Sequence, residues 1–227
     1  MERVVAPEIL DQLPVAAPEA AKSRRDLVRL NALMGHARII RHALARRPVH
    51  KLIDLGAGDG TMLLTVLRGT FRPASLKQVT LVDRQPSVRP ETVRTLERLG
   101  VSVQVVANDV FDFLECAPMQ QDLGLTANLL LHHFCDVDLK RLIAMAAAKC
   151  DFFVACEPRR AILPAIGAAL AGAVGCNSVT RHDARVSVRA GFRGSELTAL
   201  WPNASGWRVQ ERRSGLFSHL FVAERIV

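Results

Sequence analysis

Between residues 51 and 156 short apolar runs alternate with helical patterns, and this alternation restricts the fold more than any other feature of the chain. Strand-like runs stand at 51–55, 78–82, 101–106, 122–127 and 151–156; helical patterns stand at 61–68, 90–99, 111–115 and 139–149. Strands separated by helices pair in parallel, because each helix carries the chain back over the sheet, and the helices then cover both faces. The expected fold is α/β with a doubly wound, mostly parallel sheet. The C-terminal end breaks the rhythm. Runs at 207–213 and 216–225 are separated by Ser214 and Gly215, a hairpin pattern. The sheet should therefore reach seven strands and finish antiparallel.

A chain of 227 residues suits one well-cored domain. It is expected over residues 48–227, with an N-terminal helical extension at 1–47 and a helical insertion at 159–192. Leu27, Leu30, Leu33, Met34, Ile40 and Leu44 form an apolar stripe across residues 22–47. Gly35 is expected to split this stretch, and Pro48 to stop it. Before it, Pro7, Pro14 and Pro18 punctuate an Ala-rich stretch, and disorder is expected only there, within the first ~20 residues. The most apolar segment, 161–176, contains Pro164 and three glycines. It is shorter than the ~20 residues of a membrane span and reads as a buried or pocket-lining helix.

No positively charged, then apolar, then small-residue order stands in the first residues, and a secretory signal is not expected there. The five cysteines are odd in number and have no C-x-x-C spacing, so reduced, mostly buried thiols in a cytoplasmic protein are expected, with no metal site. The formal charge of +8 and a pI near 9.9 allow an acidic partner. The arginines are nevertheless dispersed, with no basic block interleaved with aromatics, and a solvated basic surface is preferred to a nucleic-acid platform.

In such a sheet ligands bind beyond the carboxyl ends of the strands, where strand order reverses. The first such end reads Asp54-Leu55-Gly56-Ala57-Gly58-Asp59-Gly60-Thr61. Alternate glycines let the backbone turn tightly and pass close to a ligand. The G-x-G-x-G spacing differs from the G-x-G-x-x-G of dinucleotide binders. Asp83 ends the second run, where a carboxylate can accept both hydroxyls of a ribose; NAD and S-adenosylmethionine (SAM) both carry one. After the third run, Asp109 can meet an adenine amine with Val110 against the ring, or can cap the following helix.

These residues resemble the class I SAM-dependent methyltransferase family. Residues 54–60 are similar to its first motif, Asp83 to its ribose-binding acid, and Asn108-Asp109 to its adenine-contacting position. Asp122-Leu123-Gly124-Leu125-Thr126-Ala127-Asn128-Leu129-Leu130-Leu131-His132-His133-Phe134 resembles its fourth-strand motif, whose residue just past the strand lies near the methionine part of SAM. The terminal hairpin also fits the family's sheet. The resemblance implies a cofactor set of Asp54, Gly56, Ala57, Gly58, Gly60, Asp83, Asn108, Asp109, Val110 and Asn128. Arg84 is either a packing partner for the adenosine or a plain surface arginine.

The activity implied is methyl transfer to a small molecule, at oxygen of a hydroxylated or carboxylated metabolite. RNA or protein acceptors are the alternative, and a SAM-binding partner protein without activity is a second; a nucleotide-dependent oxidoreductase is disfavoured by the glycine spacing. Substrate selection is expected from 22–47 and 159–192, acting as a cap. Arg181 and Arg185, beside His182 and Asp183, would face an anionic group. An oxygen acceptor with a high pKa needs a base, whereas a carboxylate needs none. His182 and His133 are the catalytic candidates, ahead of His36 and Glu157, because imidazole titrates near neutral pH; Glu157 can equally be a cap.

Overall fold

Five parallel strands, β1 (Lys51–Leu55), β2 (Gln78–Asp83), β3 (Ser102–Ala107), β4 (Leu123–Asn128) and β5 (Phe152–Pro158), share one sheet with an antiparallel pair, β6 (Trp207–Ser214) and β7 (Ser218–Arg225). A computed structural model describes residues 2–14, 16–69, 75–169, 175–202 and 204–226. Across the sheet the order is β3-β2-β1-β4-β5-β7-β6. From β1 the chain winds outward through β2 and β3, then crosses to the other side of β1 for β4 and β5. That reversal leaves a crevice at the carboxyl ends of β1 and β4, the place where such sheets bind ligands.

Successive side chains of a strand point to opposite faces, and here both faces are apolar. Leu52, Leu81, Phe152 and Val222 pack beneath α3 (His36–Leu44), α4 (Thr61–Leu67) and α5 (Pro90–Arg98). Ile53, Val82, Phe153 and Phe221 pack beneath α6 (Val110–Cys116), α7 (Asp136–Lys149) and α10 (Glu196–Leu200). Burying each such side chain contributes about 1.5–3 kcal/mol, so neither face can be spared. Strand β7 starts two residues later than the sequence suggests. Gly215 adopts φ +68, and Leu216 and Phe217 complete the turn before pairing resumes at Ser218 with Pro158.

The N-terminal helices are α1 (Ile9–Gln12) and α2 (Pro18–Met34), and Gly35 at φ 72 divides α2 from α3. Pro18 lies in the first turn of α2, where no N–H is needed, so the helix begins before residue 22. The expectation of disorder in the first residues is corrected among those described. The Arg3 guanidinium donates to Ala190 O at 2.9 Å, Phe134 O at 2.8 Å and Asp136 at 2.7 Å. A planar fork that satisfies three acceptors at once ties down a segment that composition alone would release.

Residues 159–192 provide α8 (Ile162–Ala169) and α9 (Ser178–Ala190). Residues 170–174 of the expected 161–176 helix lie outside the described residues. Helix α8 lines a pocket rather than being enclosed: Pro164, Gly167 and Ala168 face a cavity while Ile162, Leu163 and Ile166 are exposed. Helix α9 is joined to α2 by polar contacts. Buried Asp26 accepts from the Asn177 N–H at 2.9 Å and the Thr180 hydroxyl at 3.2 Å. All five cysteines are free; Cys150, Cys156 and Cys176 are buried, Cys116 and Cys135 exposed. No helix among the described residues is long and apolar enough to cross a membrane.

Candidate functional site

The loop after β1 is pinned to the end of β2: the Gly56 and Ala57 N–H groups donate to Val82 O at 2.9 and 3.0 Å. Gly56, Gly58 and Gly60 all have positive φ, at 70°, 56° and 73°. Their surroundings differ. A Cβ on Gly56 would lie 2.9 Å from Leu130 Cδ1 and one on Gly60 3.1 Å from Leu81 Cδ1, whereas one on Gly58 would meet nothing within 4 Å. Gly56 and Gly60 serve packing; Gly58 borders open space. Its N–H donates to Asp83 Oδ2 at 2.9 Å, and the Gln85 N–H donates to Oδ1 at 2.8 Å. The glycine loop and the acid of β2 are thus held in direct contact.

A cavity of about 870 Å³ opens on this contact. Asp54, Gly56, Ala57, Gly58, Asp83, Arg84, Asp109, Val110 and Asn128 line it, while Gly60 and Asn108 stand behind its wall. Asp109 caps α6, accepting from the Phe111 N–H at 2.8 Å, and still reaches the cavity. Asn108 Oδ1 accepts from the Asp109 N–H at 2.8 Å and so orients that residue. Asn128 Oδ1 lies 2.7 Å from His36 Nδ1, and His36 Nε2 lies 2.8 Å from the Ser218 hydroxyl. Burial lowers the His36 pKa, against the Asn128 hydrogen bond and the Glu157 charge, and the two polar neighbours fix its ring. Burial, and then the nearby Asp83 charge, push Asp54 up to about 7 against the Thr126 hydroxyl bond of 2.8 Å.

The lining also includes Glu8, Asp11, Arg24, Arg38, His132 and His133. His132 is buried, with Nδ1 2.7 Å from Glu157 Oε2 and Nε2 3.3 Å from Glu8 Oε1. Burial opposes its charge, but the Glu157 and Glu8 carboxylates outweigh burial and push it up to about 9. Burial acts to raise the Glu8 pKa, and the hydrogen bond and charge of His132, with those of His133 and Ser187, bring it below the ordinary range. His133, partly exposed, has Nδ1 3.0 Å from Asp11 Oδ2 and Nε2 3.9 Å from Glu8 Oε1. Glu157 is fully buried and accepts from the Leu130 and Leu131 N–H groups at 3.0 and 2.9 Å, capping the 3-10 turn Leu131–His133.

Other expected residues are placed elsewhere. His182 is exposed, 3.1 Å from Asp183, and lines neither this cavity nor the second one described below. Arg181 and Arg185 are exposed and outside both walls as well. Asp183 is buried and accepts from the Ile9 and Leu10 N–H groups at 2.9 and 3.0 Å, so the acid of this stretch anchors α1. Sequence reasoning did not single out Glu8 or Asp11. Glu8 meets His132 across 124 residues of chain, and no local pattern signals such a pair.

The second cavity, of about 300 Å³, lies between α2, α8 and α9. Leu30, Leu33, Met34, Pro164, Ala168, Val188 and Phe217 line it, and it shares Glu8, Leu10, Leu27, Leu129 and Ser187 with the first. Leu129, at this junction, has φ +55, a conformation that costs a non-glycine residue on the order of 1 kcal/mol.

No protein-family model matches this chain, and no curated protein matches it. Solved structures do match in fold. An O-methyltransferase family protein from Burkholderia thailandensis superposes with TM-score 0.63 at 19% identity, covering 92% of this chain and 61% of that one. The mitomycin 7-O-methyltransferase gives 0.59 at 20%, covering 96% and 60%. A plantazolicin methyltransferase, solved with a desmethylplantazolicin analogue and S-adenosylhomocysteine, gives 0.63 at 11%, covering 92% of each chain. The chain therefore spans about three fifths of the first two proteins. At these identities the likeness shows the fold, a Rossmann-like sheet shared with methyltransferases.

Proposed function

We propose that the chain transfers a methyl group from SAM to oxygen of a small, largely apolar acceptor. The observation that carries this reading is the Gly58 N–H bond to Asp83 at 2.9 Å, beside open space at the sheet's reversal point. A cavity that a Cβ at residue 58 would enter, walled by an acid at the end of β2, suits a nucleoside. Bound SAM supplies an electrophilic methyl group on a sulfonium, so the protein's part is alignment and exclusion of water. Asp83 has lone pairs left for the ribose hydroxyls, Asp109 and Val110 suit the adenine, and Asp54 and Asn128 stand toward the methionine end. Arg84 lines the same wall.

The second cavity would take the body of the acceptor, because its lining is apolar and it meets the first at Glu8 and Leu129. About 300 Å³ is at the small end of ligand pockets. An anionic group on the acceptor has Arg24 and Arg38 in the adjoining wall. At that wall Glu8 and His133 are the groups that can receive an acceptor's proton. The apolar lining favours a small molecule over RNA or a charged protein segment.

Isothermal titration with SAM and with NAD tests the reading. SAM should bind and NAD should not, and Gly58→Val or Asp83→Ala should weaken SAM at least about tenfold. SAM affinity left intact by both substitutions would overturn it. Binding without turnover of any hydroxylated acceptor would instead support a partner protein that lacks activity.

A further inference from the structure

We propose that Glu8, His132 and His133 form a site for a divalent cation of the zinc type in the cavity wall. Their ligand atoms all lie within 4.8 Å of one another. In a tetrahedral zinc site with bonds of about 2.0–2.1 Å, neighbouring ligand atoms are about 3.3 Å apart. His132 Nε2 to Glu8 Oε1 is 3.3 Å, and His133 Nε2 to the same oxygen is 3.9 Å. The Glu8–His132 edge already has the required length, the Glu8–His133 edge needs a shift of about half an ångström in a partly exposed side chain, and the edge between the two imidazoles lies within 4.8 Å. Two imidazoles and a carboxylate suit zinc, cobalt or nickel rather than magnesium or calcium, which prefer oxygen ligands.

The outward nitrogens carry the argument further. His132 Nδ1 is held by Glu157 at 2.7 Å and His133 Nδ1 by Asp11 at 3.0 Å. A carboxylate on the far nitrogen orients a metal-binding imidazole and raises its basicity. A plain ion pair between Glu8 and His132 requires neither a second imidazole nor a second carboxylate behind it. Three carboxylates, Glu8, Asp11 and Glu157, face the two imidazoles, and Glu8 and Glu157 are buried. Cation and proton would compete for the Nε2 atoms.

Three protein ligands leave a fourth position, as in catalytic rather than structural zinc sites. All three residues line the cavity, and Glu8 also borders the apolar one. With the cation bound, Glu8 and His133 are its ligands rather than proton acceptors, and the open position would take an oxygen of the acceptor and lower its pKa, so that the proton passes to solvent. That role rests on the methyl-transfer reading; the cation site itself does not.

The test is titration of the chelator-treated full chain with Co²⁺, read by visible absorption, with Zn²⁺ as competitor and SAM titrated separately into the same samples. One equivalent of Co²⁺ should bind and be displaced by Zn²⁺. Affinity should fall at least about tenfold in His133→Ala and in Glu8→Gln, and about tenfold in Asp11→Asn. His132→Ala would strand two buried carboxylates and can unfold the chain, so His133 and Asp11 carry the result. Cys116→Ser and His50→Gln, surface groups outside the wall, should leave Co²⁺ binding unchanged. No saturable Co²⁺ binding, or binding indifferent to His133→Ala and Glu8→Gln, overturns the proposal. Those outcomes with SAM still bound overturn the cation site alone. Co²⁺ bound at these residues without SAM binding upholds the site and overturns the methyl-transfer reading.

Discussion

The two walls of the large cavity are built by opposite means. On the sheet side, the glycine loop and its acid are close in sequence and joined through a backbone N–H: Gly58 and Asp83 are 25 residues apart. On the cap side, side chains meet across most of the chain. Glu8 reaches His132 over 124 residues and Ser187 over 179. The first wall follows once five strands are placed in order. The second depends on α1, α2 and α9 settling over the finished sheet.

Substitutions can break this comparison. The largest effect is expected at Gly58→Val, which should weaken SAM about a hundredfold because the side chain enters the cavity. Gly56→Ala should act through stability instead, by about 1–3 kcal/mol from its clash with Leu130 and its positive φ, read as a lower Tm. On the cap side Glu8→Gln should cut kcat about tenfold or more while SAM affinity moves less than about threefold. Equal losses in both would show that the walls do not divide the work.

Smaller effects sharpen the picture. Asp54 has its folded pKa raised to about 7 from 3.8. The folded state therefore binds its proton more tightly than the unfolded state does. Stability from this group is highest below pH 4 and falls as pH rises to 7, by on the order of 2–4 kcal/mol. Asp54→Asn should raise Tm at pH 8 and leave it nearly unchanged at pH 4, in melts across that range. Smallest of all, changing Arg181 and Arg185 together to Ala should move the acceptor KM less than about twofold, since neither lines a cavity.

The sheet side was legible because periodicity and glycine placement are local. The 51–55 run became β1 with the same bounds, and Asp109 both caps α6 and reaches the cavity. Less legible were residues whose role depends on rotation about a helix. His182 and Asp183 are adjacent, so about 100° separates them around α9. The helix turns Asp183 inward to α1 and leaves His182 in solvent. Arg181 and Arg185, four apart, share the outer side. The prolines at 7, 14 and 18 suggest a loose arm, yet the contacts of Arg3 and Glu8 are made with residues beyond 130, which no window over the first twenty can contain.

The anchoring of residues 3–10 to α9 has a consequence for synthesis. Those residues leave the ribosome long before their partners at 183–190 exist. The sheet's first five strands can pair while the arm is still unattached, and the arm docks only after α9 has been translated. Until then the cleft beside the glycine loop lacks its outer side, and β5 lacks β7 with its share of both core faces.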